Sequence, residues 1–195
     1  MTPSESERIG ESRLLGVEDG SFNAFSRDTD SHTFLCGVSM TGGRIEDVLI
    51  SRIEVDGFDA TEKLLGMLNG VEADAIILGG ITFAGFNIID PSLIFNEIGM
   101  PVIIYSGKKP DDEEMLFALK KHFDDWMERW KIVEGLGEVS ELVVRPCDPP
   151  VYFETVGGSK EWAEVVLRSS ALVCRIPEPV RVAGLVARGL SRQSC

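Results

Sequence analysis

Residues 73–80 read ADAIILGG, in which residues 75–78 form a continuous apolar run that is followed by two glycines. A run without alternating polar residues is typical of a strand that is buried on both faces, in the parallel part of a sheet. Residues 100–106, MPVIIYS, have the same character. The segment between the two runs opens with Asp90 and Pro91 and stops at Gly99, which are the signals of a helix start and a helix end. We therefore predict two parallel strands joined by a helix.

Three further strands are predicted ahead of this unit. They cover residues 13–20 (RLLGVEDG), 32–40 (HTFLCGVSM) and 45–55 (IEDVLISRIEV). The turn signal TGGR at residues 41–44 separates the second strand from the third, so the three strands should form an antiparallel meander. A helix of about three turns then opens near Asp59, where an acidic cap precedes an apolar pattern.

The segments after residue 106 predict more helices and two short strands. A long helix is expected over residues 110–131, with its first acids at the positive end of the helix dipole. Short strands at 141–145 and 151–156 precede helices at 158–170 and 177–190. This order is that of the ribonuclease H-like α/β fold, a mixed sheet in which an antiparallel meander of three strands is followed by parallel strands, flanked by helices.

The chain is expected to form one domain. Residues 1–12 are polar and predict a disordered N-terminal lead-in. Residues 13–191 contain no internal repeat and no low-complexity linker, so they predict a single domain. No stretch approaches the roughly 20 consecutive apolar residues of a membrane-spanning helix, and no secretory signal begins the chain. The four cysteines form no CxxC pair, and the cytoplasm is the expected compartment.

The charge balance argues against one class of nucleic-acid-binding protein. The 195 residues include 19 Lys and Arg against 32 Asp and Glu, a formal net charge of −13. Proteins that hold nucleic acid by a basic face are usually positive overall, and an acidic chain has no electrostatic attraction to an anionic membrane. The exception is a group of carboxylates that holds a divalent metal, since the bound ion reverses the local charge.

The first candidate site is Glu18-Asp19-Gly20, at the end of the first strand. Adjacent residues on a strand point to opposite faces, so only one of the two acids can face a given site. The glycine permits a tight turn or the close approach of a ligand. The structural alternative is a pair of acids that simply face water at a turn.

The second candidate is the pair Asp56 and Asp59. Helix capping and turn formation explain both residues without any function. The functional alternative requires strands one and three to be neighbours, because Glu18 and Asp59 would then converge at one end of the sheet. Two or three carboxylates in such a place are what Mg²⁺ requires.

The third candidate follows the parallel strand at residues 73–80, where open α/β sheets place their ligand sites. It comprises glycines that allow backbone to approach a ligand, phenylalanines that can stack on a base, and an asparagine. The alternative is an ordinary turn with core phenylalanines. A fourth candidate, at the start of the last helix, lines the mouth of the site or merely starts the helix. The substrate-binding candidates in these two segments are Gly79, Gly80, Phe83, Gly85, Asn87, Glu178 and Arg181.

Five segments stand in order along the chain: GVEDG (16–20), VDGFDAT (55–61), GGITFAGFN (79–87), PVIIYSGKKPD (101–111) and PEPVRVA (177–183). Together they resemble an uncharacterised, largely archaeal protein family related to endonuclease V. The resemblance covers nearly all of residues 14–190. It implies a ribonuclease H-like fold, in agreement with the order of the predicted elements.

Endonuclease V enzymes cut nucleic acid near deaminated bases, using Mg²⁺ held by acidic residues. The resemblance therefore implies a nuclease that depends on Mg²⁺ or Mn²⁺, with DNA or RNA containing deaminated bases as its partner. The first acid of these enzymes ends the first strand, where Glu18 matches and Asp19 is the adjacent alternative. The second lies at the start of the helix after strand three, where Asp59 is the best match. Glu18 and Asp59 are the implied metal ligands.

The third acid of these enzymes is missing. Its position is occupied by Gly79, and the histidine and proline that follow it are replaced by Phe83 and its neighbours. Cleavage with two metal ions needs acids for both. In one interpretation Asp56 substitutes for the missing acid. In the other the site is degraded, and the chain is a non-catalytic ribonuclease H-like module that binds nucleic acid, nucleotide or a protein partner.

Overall fold

The computed structural model describes residues 12–22 and 32–192. The predicted lead-in at residues 1–12 lies outside the described residues, apart from Ser12. The described strands are β1 (Arg13–Asp19), β2 (His32–Thr41), β3 (Arg44–Glu54), β4 (Ala75–Leu78), β5 (Thr82–Phe83), β6 (Asn87–Ile88), β7 (Val102–Ser106), β8 (Ser140–Leu142) and β9 (Val151–Val156). The described helices are α1 (Ala60–Met67), α2 (Pro91–Ile98), α3 (Asp112–His122), α4 (Trp126–Glu134), α5 (Lys160–Ser170) and α6 (Glu178–Ser191).

Seven of these strands form one mixed sheet, in the order β3-β2-β1-β4-β7-β9-β8. The meander of β1, β2 and β3 is antiparallel, and β1, β4 and β7 run parallel to one another. The predicted ribonuclease H-like arrangement is therefore confirmed. The expectation that strands one and three are neighbours is wrong, because β2 pairs with both and lies between them. The remaining strands, β5 and β6, form a separate hairpin after β4.

The single helix predicted over residues 110–131 is two helices. Phe123 ends α3 in extended backbone, with φ −131° and ψ 126°. Its ring then packs on that of Phe86, with 5.4 Å between the centroids. Asp125 precedes α4 and pairs with Arg129. These contacts stabilise the break, although the apolar pattern continues across it. Among the helices of residues 12–22 and 32–192, none is long and apolar enough to cross a membrane.

The sheet has hydrophobic cores on both of its faces. Ile76 of β4 packs with α1 and α2 on one face, while the adjacent Ile77 packs with α5 and α6 on the other. All four residues of β4 are completely buried. This double burial explains the uninterrupted apolar run in the sequence.

The last helix crosses the sheet in direct contact with β1. A Cβ atom on Gly16 would lie 2.2 Å from backbone atoms of Pro179 and Val180 at the start of α6. Ala187 and Ser191, near the other end of α6, approach Gly20 just beyond β1 in the same way. The helix therefore runs along β1 toward its acidic end, and glycine at position 16 permits the contact.

We expect Gly16→Ala to lower the free energy of unfolding by about 2 kcal/mol, because the added methyl group forces the backbone of α6 outward. Gly189→Ala is the matched control, since a Cβ at this glycine of α6 meets no atom within 4 Å. In a helix that change should raise stability by up to about 1 kcal/mol. Urea unfolding of both variants measures the two effects, and a neutral Gly16→Ala would contradict the packing argument.

Candidate functional site

Two carboxylates, those of Glu18 and Asp19, lie side by side at the end of β1, in the middle of the sheet. Their side chains interact with each other, so the expectation that only one of the two acids can face a given site is wrong. Glu18 and Asp19 are both half-buried. Burial raises the pKa of Glu18 to about 7, and the charge of Asp19 adds to this effect. Burial also raises the pKa of Asp19. Arg188 of α6 lies close enough to lower both pKa values by its charge. Burial is therefore the main reason why both carboxyl groups resist ionisation.

The side chain of Glu18 lies against Gly79, the first residue after β4. A Cβ atom at Gly79 would be 2.5 Å from Oε1 of Glu18 and 2.6 Å from its carboxyl carbon. The N–H of Gly79 donates to the carbonyl of Val17 at 2.9 Å, so the two chain segments are held at this distance. A side chain at position 79 would require the carboxylate of Glu18 to move. At the position where the family resemblance predicts a third acid, the glycine therefore leaves room for the side chain of Glu18.

The tip of the β5–β6 hairpin connects Asp19 with Asp56. The N–H of Ala84 donates to Oδ2 of Asp19. Its carbonyl accepts a hydrogen bond from the N–H of Asp56 at 2.8 Å. In return Oδ1 of Asp56 accepts from the N–H of Phe86 at 2.9 Å. A single residue, Ala84, therefore bridges two of the predicted acids.

The backbone at this tip adopts conformations that most residues avoid. Asp56 has φ 59° and Ala84 has φ 47°, both in the left-handed region. Gly85 has φ 90°, and a Cβ there would lie 2.2 Å from Oδ1 of Asp56. Non-glycine residues in this region store strain that the surrounding contacts must offset, and such strain is concentrated at functional sites.

Asp59 is bound into a different network. Its Oδ1 accepts hydrogen bonds from the N–H of Glu54 at 3.2 Å and from Nδ2 of Asn87 at 2.7 Å. Asn87 is completely buried, and its Oδ1 accepts from the N–H of Ala60 at 2.9 Å. Asn87 thus caps α1, while the side chain of Asp59 makes no capping hydrogen bond. The structure shows no contact that joins Asp59 to Glu18. Within residues 12–22 and 32–192 no three His, Cys, Asp or Glu side chains form a group that holds a metal ion.

The remaining substrate-binding candidates lie in three places, which are the core, a cleft and the start of α6. Phe83 is 2% exposed, so its ring belongs to the core and presents no open face to a base. Gly79 and Gly80 line a cleft of about 320 Å³ beside the end of β7. Glu178 forms an ion pair with Arg181, whose Nη2 lies 2.6 Å from Oε1. Since this pair starts α6 beside Gly16, it lies roughly 7 to 10 Å along β1 from Glu18 and Asp19.

Arg129 of α4 organises the site, although nothing in the sequence marks it as a site residue. It is 4% exposed and forms an ion pair with Asp125 at 2.9 Å. Its guanidinium also donates to three backbone carbonyls, at 2.8 Å, 2.6 Å and 3.2 Å, and stacks between two phenylalanine rings at 4.9 and 4.4 Å. The carbonyls are those of Gly57, Phe86 and Asp56, and the rings those of Phe58 and Phe123. In the sequence, Asp125 and Arg129 resemble an ordinary exposed ion pair between residues i and i+4 of a helix.

The chain is similar to known proteins over nearly its whole length. The family described as Endonuclease dU matches residues 10–191. A UPF0215 protein of Thermococcus gammatolerans is 40% identical over 181 residues, which cover 91% of this chain and 91% of that protein.

Two solved structures extend the comparison. A protein of unknown function from Archaeoglobus fulgidus has a TM-score of 0.79 and 34% identity, covering 92% of this chain and 98% of its own. Endonuclease V of Ciona intestinalis, in complex with a 24mer DNA containing an inosine followed by a ribo-adenosine, has a TM-score of 0.63 at 12% identity, over 94% and 87% of the two chains. The second likeness concerns the fold alone. Together the comparisons confirm the predicted family relationship.

We expect Arg129→Met to lower the free energy of unfolding by about 3 kcal/mol, because Asp125 and three carbonyls lose their buried donor. Lys131→Met is the control, since Lys131 is exposed on the same helix, and should change stability by less than about 0.5 kcal/mol. Urea unfolding followed by circular dichroism measures both. Equal effects of the two substitutions would mean that the network around Arg129 contributes no stability.

We expect Glu18→Gln to stabilise the metal-free protein, but only at neutral and higher pH. The pKa of Glu18 is about 7 in the folded chain, against an ordinary value of 4.5. The folded state therefore holds this proton more tightly, and wild-type stability falls as pH rises through this interval. A neutral glutamine avoids the loss, so in a chelating buffer the variant should melt roughly 3 °C higher at pH 8.

The difference between Glu18→Gln and wild type should narrow toward pH 5 and vanish below it. Glu97→Gln, at an exposed position of α2, is the matched control and should show no such trend. Melting curves from pH 4 to 8 test this, and a difference that stays constant with pH would refute the assignment of the buried charge to Glu18.

Proposed function

Because the chain belongs to the Endonuclease dU family, we propose that it is a metal-dependent endonuclease that cuts nucleic acid at a deaminated base. The observation that carries this proposal is the pair Glu18 and Asp19, two half-buried carboxylates at the end of a central strand in a fold shared with endonuclease V. The family name specifies deoxyuridine, and one structural neighbour holds inosine-containing DNA. Uracil in DNA is therefore the first substrate we propose, and hypoxanthine in DNA or RNA the second.

The acid pair fits a single divalent ion. Mg²⁺ in nucleic-acid enzymes is usually held by one or two carboxylates, and waters and substrate phosphates complete its shell. Glu18 and Asp19 supply such a pair, and a cation would relieve the charge that burial makes unfavourable. We propose these two residues as the ligands of Mg²⁺ or Mn²⁺, with Asp59 remaining in its hydrogen bonds to Asn87 and Glu54. When bound, such an ion polarises a phosphate and lowers the pKa of its water.

The surrounding residues position this pair. The backbone N–H of Ala84 donates a hydrogen bond to one oxygen of Asp19 and so fixes the orientation of this carboxylate. The N–H of Asp19 donates to Oε2 of Glu18 at 3.1 Å and so fixes the second carboxylate relative to the first. Arg188 brings a positive charge beside two acids, where a phosphate of the substrate would otherwise meet only negative charge. Each contact aligns the acids before substrate arrives.

A second candidate function rests on Gly79. The absence of a carboxylate at this position favours a module that binds nucleic acid, nucleotide or a protein partner without cutting it. The contact between Glu18 and Gly79 weakens that reading, because the longer acid at position 18 occupies the space that a side chain at 79 would need. The two functions differ in one measurable respect, which is strand cleavage in the presence of metal.

We expect the purified protein with Mn²⁺ to nick an oligonucleotide that carries one deoxyuridine, inosine or deoxyinosine, and to leave the matched unmodified strand intact. Glu18→Gln and Asp19→Asn should each lower the rate at least about 100-fold, because each removes a proposed ligand. Denaturing gels of end-labelled strands measure the cleavage. Glu113→Gln, at an exposed position of α3, should cleave at the wild-type rate.

Asp59→Asn separates the two proposed ligand sets. An asparagine at 59 can still accept the hydrogen bonds from Glu54 and Asn87, so we expect it to fold and to retain at least about a third of the wild-type rate. A loss as large as that of Glu18→Gln would instead return Asp59 to the metal site. If folded wild-type protein nicks none of the modified strands with Mg²⁺ or Mn²⁺, the non-catalytic function is the correct one.

A further inference from the structure

Glu154 is a buried acid that the proposed cleavage does not use. It lies on β9 opposite Ile104 of β7 and is 7% exposed. In the described part of the chain no other residue donates a hydrogen bond to its carboxyl group. Burial and the charge of Asp112 raise the pKa of Glu154 to about 7, and only its own backbone N–H acts against this rise. A buried carboxyl group that receives no hydrogen bond from another residue is costly, which favours a ligand that donates one.

The carboxyl group faces the cleft of about 320 Å³ that Gly79 and Gly80 also line. Its floor is apolar and includes Ile104, Met115 and Leu136. A volume of this size lies at the lower end for pockets that hold small organic groups. Polar side chains also line the cleft, among them Ser106, Asp112 and Glu154. An apolar floor with polar groups around it suits a flat ring with hydrogen-bonding atoms on its rim, such as a nucleobase.

The cleft adjoins the acid pair. Gly79 lines the cleft, and the carboxylate of Glu18 lies against the same residue. The exposed Lys108 and Lys109 also line the cleft, in a chain whose formal net charge is −13. A base in the cleft would therefore bring its strand past two cations and place the neighbouring phosphates near Glu18. Enzymes that act at a base commonly take it out of the helix into such a pocket.

Deamination changes the ring nitrogen on the pairing edge of the base from a hydrogen-bond acceptor to a donor. Cytosine and adenine present a ring nitrogen with a lone pair on their pairing edge, next to an amino group. In uracil and hypoxanthine that nitrogen carries a hydrogen, next to a carbonyl. A carboxylate accepts a hydrogen bond from the N–H of the deaminated base and is repelled by the lone pair of the parent base.

We propose that Glu154 distinguishes a deaminated base from its parent cytosine or adenine, because it accepts the ring N–H of the deaminated base held in this cleft. This inference rests on the proposed function, since it identifies how the same site would select its substrate. It places recognition on β9 and cleavage on β1, with Gly79 between them.

The test measures binding without metal, so that it does not depend on cleavage. Fluorescence anisotropy in EDTA at about pH 8.5, where the carboxyl group of Glu154 is ionised, compares single-stranded 20mers that carry deoxyuridine or deoxycytidine at one position. The wild type should prefer deoxyuridine by about 10-fold, the effect of one well-placed contact to a base edge. Glu154→Gln should bring this ratio close to one, because an amide both donates and accepts and so pairs with either base. Glu141→Gln, on the adjacent strand β8, should keep the wild-type ratio.

A second variant fills the cleft without changing Glu154. Met115→Trp fills the space while leaving Glu154 in place, and should abolish the preference for deoxyuridine while Lys108 and Lys109 maintain binding of either strand. An unchanged ratio in Glu154→Gln overturns the inference, as does a wild type that binds both strands equally. If the wild type nicks deoxyuridine while Glu154→Gln keeps its preference, the inference fails and the proposed function stands. If the wild type shows no preference for deoxyuridine and nicks none of the strands with a deaminated base, both fail.

Discussion

One buried guanidinium holds the acidic end of the sheet together. A charge in the interior is tolerated only where acceptors surround it, and Arg129 has one carboxylate and three backbone carbonyls around it. The carbonyls belong to the loop after β3 and to the β5–β6 hairpin, so a single cation fixes both segments. Through Ala84 the same hairpin fixes Asp19. The geometry of the acids thus originates in α4, a helix that contains none of the candidate ligands.

The order of the strands along the chain could be predicted because the burial of a strand determines its amino-acid composition. β4 is buried on both faces and is therefore apolar at every position, whatever its partners are. The break between α3 and α4 has no such effect on the composition, since the apolar pattern runs through it. It depends on Phe123 reaching Phe86 and on Asp125 reaching Arg129, and both contacts join parts of the chain that only the tertiary fold brings together or orients.

The site was predictable where it depends on one strand and unpredictable where it depends on pairing between strands. Glu18 and Asp19 follow from the end of β1 alone. The convergence of Glu18 with Asp59 required β1 and β3 to be adjacent, and β2 separates them. Glu154 was missed because a single acid in VYFETV looks like the polar position of a half-exposed strand. Only the tertiary fold shows that this position is buried.

The contact between Glu18 and Gly79 also has an evolutionary meaning. An aspartate at 79 would strike the carboxylate of Glu18, while a shorter acid at 18 would withdraw from the glycine and leave the space empty. Each change alone alters the packing of the other residue, so we expect substitutions at positions 18 and 79 to be coupled. A lineage would therefore exchange a glutamate–glycine pair for an aspartate–aspartate pair most easily by changing both residues together.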